Sequence, residues 1–317
     1  MSQASFSVWL PLRDNRAMAI SHYIKEIGRG KDGARALSRE QAADLFGQVL
    51  DGTVSDLALG AFVIAMRIKG ETPLEMAGFL DATYERMQRF PASDKPTVVL
   101  PSYNGARKLP LLTPLLGLLL AQRGLPVLIH GAATESSRIF VSNVLLALSV
   151  PAQTAINKVA NSELVFVPTE LLCPGLARLL AVRRVVGLRN SAHSLVKLMN
   201  PSAGAAVVVG SYTHPEYALS MAAVFETMGS TALLLRGTEG ESVADARRMP
   251  QMDGFVAGQR TVMQQAQKGS LASLPELPAS TGAAETAVYI RRVLAGDLPV
   301  PGPIARQVEC ILQLTAV

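Results

Sequence analysis

Between residues 19 and 90 apolar positions recur at helical spacing. In AISHYIKEI (19–27), Ile20, Tyr23, Ile24 and Ile27 fall on one face. Ser38-Arg-Glu-Gln41 has the form of a capping box, and the helix behind it presents Leu45, Phe46, Val49 and Leu50 before Gly52 stops it. Ser55 can cap a third helix through Phe62, Val63 and Met66, ending near Gly70. Thr72-Pro73-Leu74-Glu75 is a second capping box with proline in the first turn, opening a helix to about Phe90. The pattern predicts an all-helical unit over 18–92, with residues 1–17 as an irregular extension.

After the linker PASDKP (91–96) the period changes. Short β-rich runs at Thr97–Leu100, Pro126–Ile129, Leu164–Val167, Ala206–Gly210 and Thr231–Leu235 alternate with helical stretches. Those stretches are Leu111–Gln122, Ser136–Leu148, Pro174–Val182, Ser191–Met199, His214–Met228 and Ala284–Ala295. The alternation predicts a larger α/β domain over 97–317. Its central, mainly parallel sheet is covered on both faces, and ligands bind beyond the carboxyl ends of the strands. The polar segment 264–283 reads as a long surface loop.

Composition narrows the partners. Lysine and arginine number 30 against 25 acidic residues, a net charge of +5. That favours an anionic partner if the charge gathers on one face. Aromatics are only 5% of the chain, which speaks against a surface built on base stacking. Two cysteines, Cys173 and Cys310, form no Cys-x-x-Cys pair and fit a reduced, cytoplasmic compartment. His22, His130, His193 and His214 lack metal-ligand spacing, so no metal is expected. Neither a secretory leader nor an apolar run of membrane-spanning length is visible, so no membrane is expected.

Chemistry gathers in a few places. PSYNGARK (101–108) is a strand–turn–helix junction, where free N–H groups can face an anion. Arg107 and Lys108 there are either a solvated turn or part of an anion site. GRGKDGAR (28–35) is a glycine-rich turn that, with Lys25, offers Arg29, Lys31 and Arg35 to a flexible polyanion, or is simply a soluble loop. Arg183-Arg184 and Arg247-Arg248 could extend a basic surface.

Two segments carry a resemblance. AMRIKGETPLEMAGF (65–79) resembles the R-x-KGET…E…GF segment of the anthranilate phosphoribosyltransferase superfamily, and VGLRNSAHSLVKLMNP (186–201) resembles its LGxRTxFNxLGPLxNP. Within that superfamily, IKEIGRGK (24–31), PSYNGARK (101–108), GLRNSAH (187–193), THPEY (213–217) and RGTEGE (236–241) resemble the YbiB type. The resemblance covers roughly 18–300. It implies a helical domain joined by helices from about 156–182, and a homodimer formed through that domain. It also implies binding of nucleic acid, DNA or RNA, instead of transferase activity.

The same resemblance marks a vestigial substrate cleft. Ser102, Tyr103, Asn104 and Gly105 stand where the family has its GTGGD pyrophosphate loop. The family's KHGNR reads Ile129-His130-Gly131-Ala132-Ala133, and its magnesium-binding Asp-Glu pair is reduced to Glu239 and Glu241 in GTEGE. Three substrate elements are damaged together, so neither catalytic residues nor a cofactor are expected. Arg189 matches the family's substrate-contacting arginine, and Lys197 stands where a proline stood. Arg189, His193 and Lys197 are spaced i, i+4, i+8 and would share one face of a helix. The expectation is sequence-tolerant nucleic-acid binding through Arg107, Lys108, Arg189, His193 and Lys197, helped by the 28–35 turn. The alternatives are a phosphoribosyl or nucleoside-type transferase with an altered acceptor, and a nucleotide sensor.

Overall fold

The computed structural model describes residues 20–30, 32–269 and 271–317. The extension expected over 1–17, and Lys31, lie outside them. Four helices open the chain: α1 (Ser21–Ile27), α2 (Arg39–Asp51), α3 (Asp56–Lys69) and α4 (Pro73–Arg86). Both capping boxes form, Ser38 with Gln41 and Thr72 with Glu75, and Ser55 accepts the N–H of Ala58. Gly52 ends α2 at φ +70°, which a residue with a Cβ adopts only under strain. Phe46, Phe62 and Phe79 meet between α2, α3 and α4, with Phe46 stacked on Phe79 at 4.5 Å between ring centres.

The α/β part contains β1 (Thr97–Ser102), α5 (Thr113–Gln122), β2 (Val127–Gly131), α6 (Val141–Ala147), β3 (Leu164–Pro168), α7 (Thr169–Leu172), α8 (Pro174–Ala181), α9 (Arg183–Val186) and α10 (Ala192–Leu195). It continues through β4 (Ala206–Tyr212), α11 (Pro215–Thr227), β5 (Ala232–Arg236), β6 (Met252–Val256), β7 (Gln259–Gln264), α12 (Ala283–Ala295) and α13 (Gly302–Thr315). The strands form one sheet in the order β3-β2-β1-β4-β5-β6-β7. The five predicted strands pair in parallel, and the β6–β7 hairpin adds an antiparallel edge. Strand order reverses between β1 and β4, so a crevice opens beyond their carboxyl ends.

Alternate residues of each strand serve two cores. Val98, Leu100, Val127, Ile129, Val207 and Val209 face α5, α6, α12 and α13. Val99, Leu128, Val208 and Leu234 face the other way, into a core that continues without a break into Leu45, Phe46, Met76 and Phe79 of the helical bundle. α8 packs on α2, where the Arg178 guanidinium donates to the Leu50 carbonyl at 2.8 Å.

Some expectations need correction. Within Ser136–Leu148 only Val141–Ala147 is helical, because 134–139 runs back along the loop after β1: Thr134 Oγ1 donates to the Tyr103 carbonyl, and Ala106 bridges Ile139. Ser191–Met199 is one turn of helix followed by tight i→i+3 turns that lead into Pro201, so it offers no straight helical face. The β6–β7 hairpin and α13 were not foreseen. No helix of the described residues is long and apolar enough to cross a membrane.

Candidate functional site

The loop after β1 turns at Gly105, φ +69°, where a Cβ would come within 2.9 Å of the Ile139 carbonyl. Its N–H groups converge as expected for an anion loop, but they are already engaged. Asn104 and Gly105 donate to Glu241 Oε1 at 2.7 and 2.8 Å. Ser102 Oγ donates to Glu241 Oε2. Arg107 N–H donates to Glu239 Oε2 at 2.7 Å, and Lys108 N–H reaches both oxygens of Glu239 at 3.1 and 3.2 Å. The side chains of Arg107 and Lys108 remain exposed, and neither meets an ion-pair partner among the described residues.

Beside this loop lies a cleft of about 590 Å³ between the α3–α4 turn, the 189–198 segment, the end of β4 and the start of α11. Arg67, Arg189, His193, Lys197 and Tyr217 line it. The sequence therefore named three residues, Arg189, His193 and Lys197, that do share one cavity, although no single helix carries them.

The cleft lining mixes these cations with two carboxylates, Glu71 and Glu216, of which Glu71 accepts from the Ser191 hydroxyl. The Arg189 guanidinium is partly buried, and its pKa is held down by burial and by the neighbouring charges of Arg183 and Arg138. Among the described residues Arg189 meets neither a hydrogen-bond nor an ion-pair partner. His193 is buried, and its pKa is pushed down to about 4 by desolvation and then by Arg189 and Arg183. Its Nδ1 accepts the Asn190 N–H at 3.3 Å, which leaves Nε2 without a partner. Lys197 lines the cleft partly exposed, yet its amine turns to the carbonyls of Gly240 and Ser211 at 2.9 and 3.4 Å. Desolvation pushes that amine down to about 8 against the opposing pull of Glu241.

Arg138 and Arg183 share one carboxylate, Glu135, at 3.2 and 3.0 Å, and Arg183 Nη1 is buried without a hydrogen-bond acceptor. The sequence names Arg183 as a residue that could extend a basic surface, whereas Arg138 and Arg67 were not among the sequence candidates. Arg67 could have been found, since it sits inside the KGET segment. Arg138 could not, because only the turn after β2 brings it to the site.

Other candidates fall elsewhere. His130 is fully buried, bonded through Nδ1 to the Tyr103 hydroxyl at 2.7 Å, and pushed down to about 3 by desolvation. Gly131 allows β2 to pass close to β1, since a Cβ there would meet the Ser102 carbonyl at 2.2 Å. Lys25, Arg29 and Arg35 lie on α1 and the α1–α2 turn. Glu26 pairs with Arg29 at 2.7 Å and with Arg35 at 3.8 Å. Gly28 and Gly30 of that turn border an apolar groove between α1 and α3, whose lining shares no residue with that of the cleft. Lys69 of the KGET motif is structural: its Nζ donates at 2.6 Å to the fully buried Glu75, which also accepts the N–H groups of Leu37 and Thr72, both at 2.9 Å, whereas Gly70, Glu71 and Thr72 line the cleft.

The magnesium that the resemblance implies does not fit these residues. The two carboxylates that would hold it are bonded to backbone donors, and no group of three or more His, Cys, Asp or Glu side chains among the described residues is arranged to hold a metal ion.

Comparison with known proteins agrees with the fold. Residues 21–87 match the helical bundle domain of a glycosyl transferase family. The protein YbiB of Escherichia coli (strain K12) is 40% identical over 299 residues, covering 92% of this chain and 93% of YbiB. The anthranilate phosphoribosyltransferase of Clavibacter sepedonicus is 28% identical over 287 residues, 85% of this chain and 78% of that protein. The crystal structure of anthranilate phosphoribosyltransferase from Thermus thermophilus superposes with a TM-score of 0.66 at 24% identity, over 90% of this chain and 85% of that one. The chain thus belongs to the family of YbiB, and its fold is that of the anthranilate phosphoribosyltransferases.

Proposed function

We propose that the chain binds nucleic acid with little sequence preference, holding backbone phosphates at the mouth of the cleft. Arg189 carries this reading: a partly buried guanidinium, crowded by Arg183 and Arg138, with no acceptor of its own among the described residues. A phosphate would relieve that repulsion. The exposed cations Arg107, Lys108 and Arg67 could extend the track. The engaged loop after β1 counts against transfer from a sugar pyrophosphate. A cytoplasmic setting goes with this reading, and both cysteines are buried and unlinked.

Fluorescence titration of duplex DNA and of RNA across a salt series tests it. Affinity is expected to fall steeply with salt, and Arg189→Ala to weaken all sequences alike and reduce the log–log slope by about 1. Binding that is equally tight in high salt would end the proposal.

A transferase with an altered acceptor is the second reading, favoured by the size and position of the cleft, which suit a small ligand. Calorimetric titration with phosphoribosyl pyrophosphate and magnesium separates the two: saturable, magnesium-dependent binding would favour the enzyme.

We also propose that two copies pair through the α1/α3 groove. Its rim leaves Leu57 77% and Ile68 62% exposed, beside Ile24 and Ile64. Sedimentation should give a dimer for the wild-type chain and a monomer for Ile68→Glu.

A further inference from the structure

The turn 237–241 enters the loop after β1 as a ligand would. Glu241, 1% exposed, takes the N–H groups of Asn104 and Gly105 and the hydroxyl of Ser102. Glu239 takes the N–H groups of Arg107 and Lys108. Two oxyanions on four backbone donors is the arrangement that loops of this kind offer to adjacent phosphates. The turn is locked in place from behind. Gly240's carbonyl accepts from Lys197 Nζ and Ser211 Oγ at 2.9 and 2.8 Å, and Glu239's carbonyl accepts from Asn104 Nδ2 at 2.7 Å. Gly240 has φ +86°, and a Cβ there would lie 2.0 Å from Asn104 Nδ2. Glu239 itself is held at φ +52°, a conformation that a residue with a Cβ keeps only when its surroundings impose it.

We infer that Glu239 and Glu241 act as a tethered anion that occupies the loop in cis and excludes small phosphorylated ligands from it. An intramolecular carboxylate competes at an effective concentration on the order of millimolar or above, so a dilute diphosphate would not displace both. The donors themselves are intact, and removing the two carboxylates opens a site for an oxyanion the size of pyrophosphate. Lys197, which occupies a proline position of the related motif, then serves to fasten the turn. None of this depends on a nucleic-acid partner.

The test is calorimetric titration of inorganic pyrophosphate, without magnesium, into the wild-type chain, the double variant Glu239→Ala/Glu241→Ala and the control Glu226→Ala/Glu309→Ala. The control makes the same change in charge on α11 and α13. The loop variant is expected to bind at least tenfold more tightly than either of the others. A folded loop variant no tighter than the control, or a wild-type chain that binds equally well, overturns the inference. If loss of the buried Glu241 prevents folding, Glu239→Gly decides: it removes one carboxylate and suits the positive φ. Under added inorganic phosphate the Arg107 and Lys108 amide resonances should then shift in the variant and stay fixed in the wild type. The same response in both, or none in the variant, overturns it equally.

Discussion

Lys197 gives the cleft a pH dependence. Its amine is pushed down to about 8, so it is charged below that pH and neutral above it. A phosphate in the cleft therefore loses one counter-charge as pH rises through about 8, and affinity for duplex DNA should fall over that interval. His193, pushed down to about 4, is neutral throughout and adds no step there. Anisotropy titrations across the range should show the fall in the wild-type chain and lose it in Lys197→Met, with the salt dependence due to Arg189 retained. At this scale the sequence was legible where a motif fixed a position, as for Arg189, His193 and Lys197. It was silent about how groups far apart in the chain meet. Glu241 bonds Gly105 across 136 positions, and nothing local to GTEGE announces that its carboxylates fold back onto the loop.

Local rules served best among the elements. Capping boxes at Ser38 and Thr72, and the left-handed glycine after α2, were visible because each is contained within a few residues. The KGET motif carried the resemblance, and its Lys69 forms a fold latch with Glu75 while Glu71 lines the cleft. Replacing Lys69 by Met leaves the fully buried Glu75 without its cation, and should cost about 3–5 kcal/mol in denaturant unfolding. Ser38→Ala, which removes only an exposed cap, should cost about 1 kcal/mol. The β6–β7 hairpin escaped notice for a physical reason: β7 is an edge strand exposed over Gln259–Val262, so no buried alternation marks it. By contrast, α13 was readable in principle, since Ile304, Val308, Ile311 and Leu314 are buried at helical spacing.

For the whole molecule, pairing of two copies through the α1/α3 groove would put two clefts on one particle. A long duplex that reaches both would gain avidity that a short one cannot. Ile68→Glu should therefore weaken binding to long duplexes more than to short ones, measured side by side. The division into a helical part and an α/β part was plain in the sequence, because the hydrophobic period changes at the linker. How far the two parts merge was not, since a residue such as Val99 or Val208 reads as a strand residue whichever partner it packs against. Phe46 and Phe79 from the bundle and Leu128 and Val208 from the sheet lie in one continuous apolar interior. Heat ought to melt both together in one calorimetric peak, and a fragment cut at the linker ought to be sticky on either side of the cut, because each half would carry away an unsealed wall.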